Sequence, residues 1–293
     1  MKKLRKLKNS DEGVVGIIIA FLLTGLIVVV ISIIQTVYVP KWMEQAEAEH
    51  MEVVADQFSQ LKFAIDTQSA IKQKDTPIST SITLGNKDMP FLTSNKAYGS
   101  LEILSDECII TVRNDLKSNP YNHNFSIIKY TCQNNYFLDQ SYIFEAGAVI
   151  INQDEGNIMA IKPAFNVTYE ENVNISFTII DIQTIGNKRS VGGYGTYPIQ
   201  TEYLRSDPST ITINNVRNIT IITNYPNSWQ NFINKTLINS GLNYGHEKDF
   251  WIDTNTNMGK ITVEFNDLPI VNLNLRIIEI SAQIAPGWIE NKY

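Results

Sequence analysis

Few residues in this 293-residue chain stand at spacings that could do chemistry. The three histidines, His50, His123 and His246, are scattered, and none falls in an HExxH-like ligand spacing. No GxSxG turn, no glycine loop opening a helix and no Cys/His metal cluster occurs. Gly192-Gly193-Tyr194-Gly195 is glycine-rich, but no helix start follows to hold a phosphate, so it reads as a loop between strands. Asp253, Asn255, Asn257 and Glu264 have the spacing of calcium ligands in an EF-hand-like loop. The glycine, however, is Gly259, one place late for the sharp turn, and Met258 stands where it should be. An Asn/Gly-rich hairpin turn accounts for the same residues. The acidic, aromatic run at 246–251 reads as a loop entering a strand. These residues predict no catalytic site, no metal and no cofactor.

The two cysteines lie in strand-like segments on either side of a loop containing Asp115, Asn119-Pro120 and Asn122. A hairpin centred on Pro120 sets Cys108 directly opposite Cys132, at a separation that suits a disulfide in a non-hydrogen-bonded pair. Such a bond would stabilise by roughly 3 kcal/mol in the chain-entropy picture. The alternatives are two unpaired buried thiols, or a register slipped by one residue. Five Asn-x-Ser/Thr sequons, at Asn124, Asn166, Asn174, Asn218 and Asn234, are candidate N-glycosylation sites. With 30 Asn and 41 Ser plus Thr in the chain, random placement gives about as many, so their number carries no signal.

The element that must position everything else is the stretch 14–39, which has 26 residues and no charge. At helical rise it is about 39 Å long, enough to cross a hydrocarbon core of about 30 Å with some tilt. The basic segment before it, with five Lys/Arg among residues 1–13, predicts a cytoplasmic N-terminus and a head outside the cell membrane. The leader is +3, so the rest of the chain carries −9 of the net −6. An acidic exterior argues against nucleic acid as a partner. Three fates are open to this N-terminus. It can remain as a signal anchor, or be cut as a secretory signal near Ala46-Glu47-Ala48, although the apolar run is too long for that. In the third, cleavage falls between Gly13 and Val14: the basic segment ending at Gly13 and followed by VVGIIIAF resembles the site of archaeal prepilin peptidases, with Ile18 in place of the glutamate of bacterial pilins.

Residues 40–74 read as an amphipathic helix. Met51, Val54, Phe58, Leu61 and Ile65 recur at three and four, one apolar stripe, while Glu44, Glu47, Glu49, Glu52, Asp56 and Lys62 populate the remaining surface. The stripe must be covered either by the protein's own head or by the same helix of a neighbouring subunit. His50, at its edge, reads as a packing residue. From Pro77 onward, β-branched and aromatic runs broken by Asn, Gly, Pro and Asp predict about a dozen short strands. One helix interrupts them at 229–240, capped by Asn227 or Ser228 and closed by Gly241. The expected fold is α+β: leader 1–13, membrane-spanning helix 14–39, amphipathic helix 40–74, and a sandwich-like β head over 75–293, as one unit or two stacked ones.

The leader and span, the helix KWMEQAEAEHMEVVADQFSQL and the segments SYIFEAGAVIINQDEGNIMAIKP and YLRSDPSTITI together resemble archaeal pilin-like envelope proteins. That resemblance implies a membrane-anchored surface protein of structural role, a filament subunit or minor assembly component, self-associating through its N-terminal helices. The other reading is a monomeric signal-anchored domain that binds an envelope polymer or protein.

Overall fold

Backbone N–H and C=O groups must be paired, within a helix or between strands, and this chain pairs them in one long helix followed by two sheets. The structure is a computed structural model, described here for residues 11–85, 97–114, 120–186, 188–206, 210–266 and 269–285. The leader at 1–10 therefore lies outside the described residues. Helix α1 (Asp11–Ile33) runs through a π-turn at Ile34–Tyr38 into α2 (Val39–Ile71). Pro40 accounts for the turn. It has no N–H, and its ring excludes the carbonyl four residues back, so Val39 donates instead to Ile34, five residues back. α2 ends at Lys72 in the left-handed region, φ 57°.

Strands then follow in order: β1 (Ile78–Thr83), β2 (Tyr98–Asn114), β3 (Tyr121–Gln133), β4 (Gln140–Glu145) and β5 (Ala148–Gln153). Next come β6 (Gly156–Ile161), β7 (Ala164–Tyr169), β8 (Val173–Thr184), β9 (Ser190–Gly193) and β10 (Thr196–Ser206). The chain finishes with β11 (Ile211–Ile213), β12 (Val216–Ile222), helix α3 (Pro226–Asn239), β13 (Phe250–Asn255), β14 (Lys260–Phe265) and β15 (Val271–Ile284). One sheet has the order β1-β10-β15-β8-β7, with β11 also on β15; the other runs β13-β14-β12-β2-β3-β4-β5-β6, with β9 also on β2. β8 and β15 are parallel, and every other strand–strand ladder among the described residues is antiparallel.

The long strands feed two cores, and each changes the face it buries midway. In β8, Ile175, Phe177 and Ile179 join the core under α3, whereas Ile180 and Ile182 join the core under α2. β15 does the same at Ile277-Ile278 and β3 at Ile127-Ile128. Because successive side chains point to opposite faces, adjacent isoleucines mark the residue at which burial switches sides. β2 makes the same change through a bulge between Leu104 and Cys108, where Asp106 has φ 58°.

That bulge and the observed register overturn the expected disulfide. Cys108 faces Phe125 and Cys132 faces Gly99 across the β2–β3 ladder, in which Val112 pairs with Tyr121 rather than with Ile128 as a hairpin centred on Pro120 requires. Cys108 lies in the α3 core and Cys132 in the α2 core, and both are free thiols. The expected cap of α3 is also corrected. The helix begins at Pro226, without a side-chain cap; Ser228 instead donates its hydroxyl to the Tyr225 carbonyl at 2.8 Å. Gly241, at φ 99°, closes it as expected.

Candidate functional site

Residues 14–33 form a helix that is apolar on every side and exposed on every side, Phe21 by 74%. Thr24 donates its hydroxyl to the Ala20 carbonyl at 2.8 Å and Thr36 to the Ser32 carbonyl at 2.7 Å, so both threonine hydroxyls are satisfied within the helix. This is the condition for lying in hydrocarbon. Val14–Ile71 is a continuous helix whose first part is long and apolar enough to cross a membrane.

The second part is built into the β domain. Met51, Val54, Phe58, Leu61 and Ile65 are all buried, against β1, β3, β4, β8, β10 and β15 of the same chain. Of the two surfaces open to the stripe, its own head is the one that covers it. Polar bonds fasten the helix at intervals. Glu47, expected on the surface, is fully buried, and its carboxylate accepts the backbone N–H groups of Asn135 at 3.0 Å and of Tyr136 and Phe137 at 2.7 Å. One carboxylate thus satisfies the β3–β4 loop. His50 Nε2 lies 3.0 Å from the Tyr130 hydroxyl, which donates to the Leu84 carbonyl at 2.8 Å, leaving the tyrosine oxygen to accept from the ring. Burial pulls the His50 pKa below its ordinary value. Tyr142 donates to the Met51 carbonyl at 3.0 Å, and Gln57 both donates to and accepts from Thr83. Gln68 reaches the Thr201 carbonyl at 2.7 Å. Lys62, also expected outside, is buried beside its ion-pair partner Asp66.

The remaining sequence candidates stay apart. Asp253 and Glu264 sit on β13 and β14, and Asn255 Oδ1 accepts from Met258 N, the hairpin-turn reading. Gly259 is required there, since a Cβ would lie 2.4 Å from the Thr223 carbonyl. Among the described residues no cluster of three metal-ligating side chains exists. His123 lies 3.4 Å from Asp181, which joins the two sheets, and His246 stacks on Trp251 with ring centroids 4.3 Å apart. Gly192 and Gly193 end β9, with Tyr194 in the turn to β10. Of the sequons, Asn124, Asn166 and Asn174 are exposed on strands, whereas Asn218 and Asn234 are half-buried with their side-chain oxygens inside.

One group escaped the sequence altogether. Glu145 is fully buried at the tight Ala146-Gly147 turn between β4 and β5, and accepts from Trp229 Nε1 at 2.6 Å and Thr223 Oγ1 at 2.8 Å, with the Cys108 thiol beside it. Loss of water pushes its pKa up to about 7, against the pull of these donors. Its partners come from β2, the end of β12 and α3, so no spacing announces them. The cavity next to Trp229 has about 10 Å³, too little for a substrate. Larger hollows lie at the surface. One of about 220 Å³ between β6 and α3 has an apolar floor of Met159 and Phe232 and a rim holding Lys162 and Lys235. Comparison of the chain with protein-family models, with curated proteins and with solved structures gives no match in any of the three.

Proposed function

We propose that this chain is a membrane-anchored, pilin-like cell-surface structural protein, with its head outside the membrane and its N-terminus in the cytoplasm. One observation carries the reading: a single continuous helix is wholly exposed and apolar over residues 14–33, yet docked into its own β domain from Val39 onward. A stripe already covered by its own head leaves α1 as the surface through which copies associate, as filament subunit or minor component. N-terminal sequencing of the mature protein tests the processing. A start at Val14 supports the prepilin route, a start at Met1 a plain anchor, and a start near Glu49 sinks the anchored reading.

The lysine-rimmed hollow favours a second reading, a monomeric anchored domain that binds an anionic envelope polymer. Lys162 and Lys235 are exposed on a chain of net charge −6. Lys162→Glu with Lys235→Glu should then abolish binding of residues 41–293, without the span, to isolated cell envelopes, while the full-length variant extracts from the membrane as its parent does.

A further inference from the structure

The hydrogen bonds along α2 give the β domain a direction relative to the span. Read from the membrane outward, Glu47 holds residues 135–137, His50 meets Tyr130, Gln57 meets Thr83 and Gln68 meets Thr201. β3 therefore descends α2, and the β3–β4 loop after it lies nearest the membrane. The ladder places Gly99 opposite both Cys132 and Gly193, so Tyr98 and Tyr194 belong to the same end. That end carries exposed apolar and aromatic side chains, Leu138 by 62%, Tyr194 by 50%, Tyr98 by 43% and Tyr136 by 36%, beside the exposed acidic β5–β6 turn at Asp154 and Glu155, where Gln153 pairs with Gln140. The loop satisfies its own polar atoms, with Asn134 donating to Asp139 and to the Leu138 carbonyl, both at 2.7 Å. It therefore presents side chains rather than bare backbone.

The level of the bilayer comes from the helix. Val39 and Met43 are only 6% and 1% exposed, so the protein covers α2 down to the last residue of the apolar run. On the open side Tyr38 and Trp42 are exposed, with rings 5.9 Å apart, an aromatic pair of the kind that marks a membrane–water interface. Glu47 stands about 8 Å above Trp42 at helical rise. The polar layer on each side of the hydrocarbon is about 5–8 Å thick. The loop held by Glu47 thus lies at its outer edge.

We propose that this rim, Tyr98, Tyr136, Leu138 and Tyr194, rests in the headgroup layer of the same bilayer that α1 crosses, a second, shallow lipid contact that fixes the tilt of the head. The proposal rests on the reading of α1 as a span. The contact is made by apolar and aromatic side chains, because Glu44, Asp139, Asp154 and Glu155 around it outnumber Lys41 and would repel an anionic surface.

The test uses the full chain in phosphatidylcholine liposomes, with a nitroxide placed in turn by Leu138→Cys, Tyr194→Cys, Leu22→Cys and Thr212→Cys. Cys108 and Cys132 are buried, and one label per chain confirms that each variant is folded. Collision with oxygen relative to a water-soluble nickel chelate should be severalfold higher at 138 and 194 than at 212, on the far end of β15's sheet, and highest at 22. Water-like labels at 138 and 194 with a lipid-like label at 22 overturn the rim contact and leave the anchor standing. A water-like label at 22 removes the anchor itself. Labels at 138 shielded from both probes and broadened by a neighbouring spin would put a second copy there, which also overturns the lipid contact.

Discussion

Glu145 shows how a single residue can set a protein's response to pH. Its carboxyl titrates near 4.5 in the unfolded chain and at about 7 in the fold. The folded state therefore holds the proton more tightly, and the stabilisation present below 4.5 is lost as pH rises through 7. The full difference corresponds to about 3 kcal/mol. Glu145→Gln keeps an acceptor for Trp229 and removes the titration. Its melting temperature should gain steadily on the parent's between pH 4.5 and 8, and a difference that stays flat would refute the buried, titrating carboxyl. His50 works in the opposite sense. Its folded pKa lies below 6.5, so the unfolded chain takes up the proton first and stability falls as pH drops below 6.5. His50→Gln, measured over the same range, should lose that acid limb. The thiols add a third expectation. Burial raises both, Cys132 to about 11, so an alkylating reagent at pH 8 should leave the native protein unmodified and react twice after denaturation. Recovery of a disulfide-linked peptide pair would restore the hairpin centred on Pro120.

At the scale of elements, α2 is the part most legible in the sequence. Its period named five of its buried residues, Met51, Val54, Phe58, Leu61 and Ile65, because a helix that packs on a surface must repeat every three or four positions. The surface it packs on was not legible, since period alone does not distinguish the chain's own sheets from a neighbour's helix. Phe58 rings lie 5.7 Å from Tyr142 and 6.4 Å from Tyr130. Phe58→Ala should therefore open a cavity and cost about 3–5 kcal/mol, read by denaturant unfolding of the monomer. The strands were legible as strands, from their β-branched runs, but their register was not. A hairpin's register is set by its turn and bulges; the loop between the two strands was visible, but which of its residues lies at the centre was not, and the bulge at Leu104–Cys108 leaves no compositional mark. Glu47 and Glu145 were missed for a related reason. A glutamate reads as surface until the donors that satisfy it come together, and those donors are 78 to 90 residues away. The double isoleucines at 127, 179 and 277 were visible signals of a strand changing faces, and they acquire that meaning only once both cores are seen.

For the whole molecule, the consequence of this threading is cooperativity. The β domain has two cores, one under α2 and one under α3, which by size alone could melt separately. They share six strands: β2, β3, β8 and β15 each lend one stretch to the first core and another to the second, while β4 and β5 lend alternate residues to the two. Unravelling either core therefore frees half of each of the four long strands and bares one face of β4 and β5, and a half-paired strand exposes a ladder edge along with its apolar side chains. Residues 41–293, without the span, should accordingly fold as a soluble monomer with one transition, coincident by far-UV and near-UV circular dichroism. Phe58→Ala strikes the α2 core and Trp229→Ala the α3 core, each at a cost of about 3–5 kcal/mol, and both should shift that one transition downward without splitting it. Replacing Phe58 and Leu61 together by Asp buries two unpaired charges beneath the helix and should prevent folding of the same soluble chain. Two separated transitions, with Phe58→Ala moving only one of them, would show the cores to be independent. A double Asp variant that melts within a degree or two of its parent would return α2 to the neighbour's helix and reopen the stripe as an assembly surface.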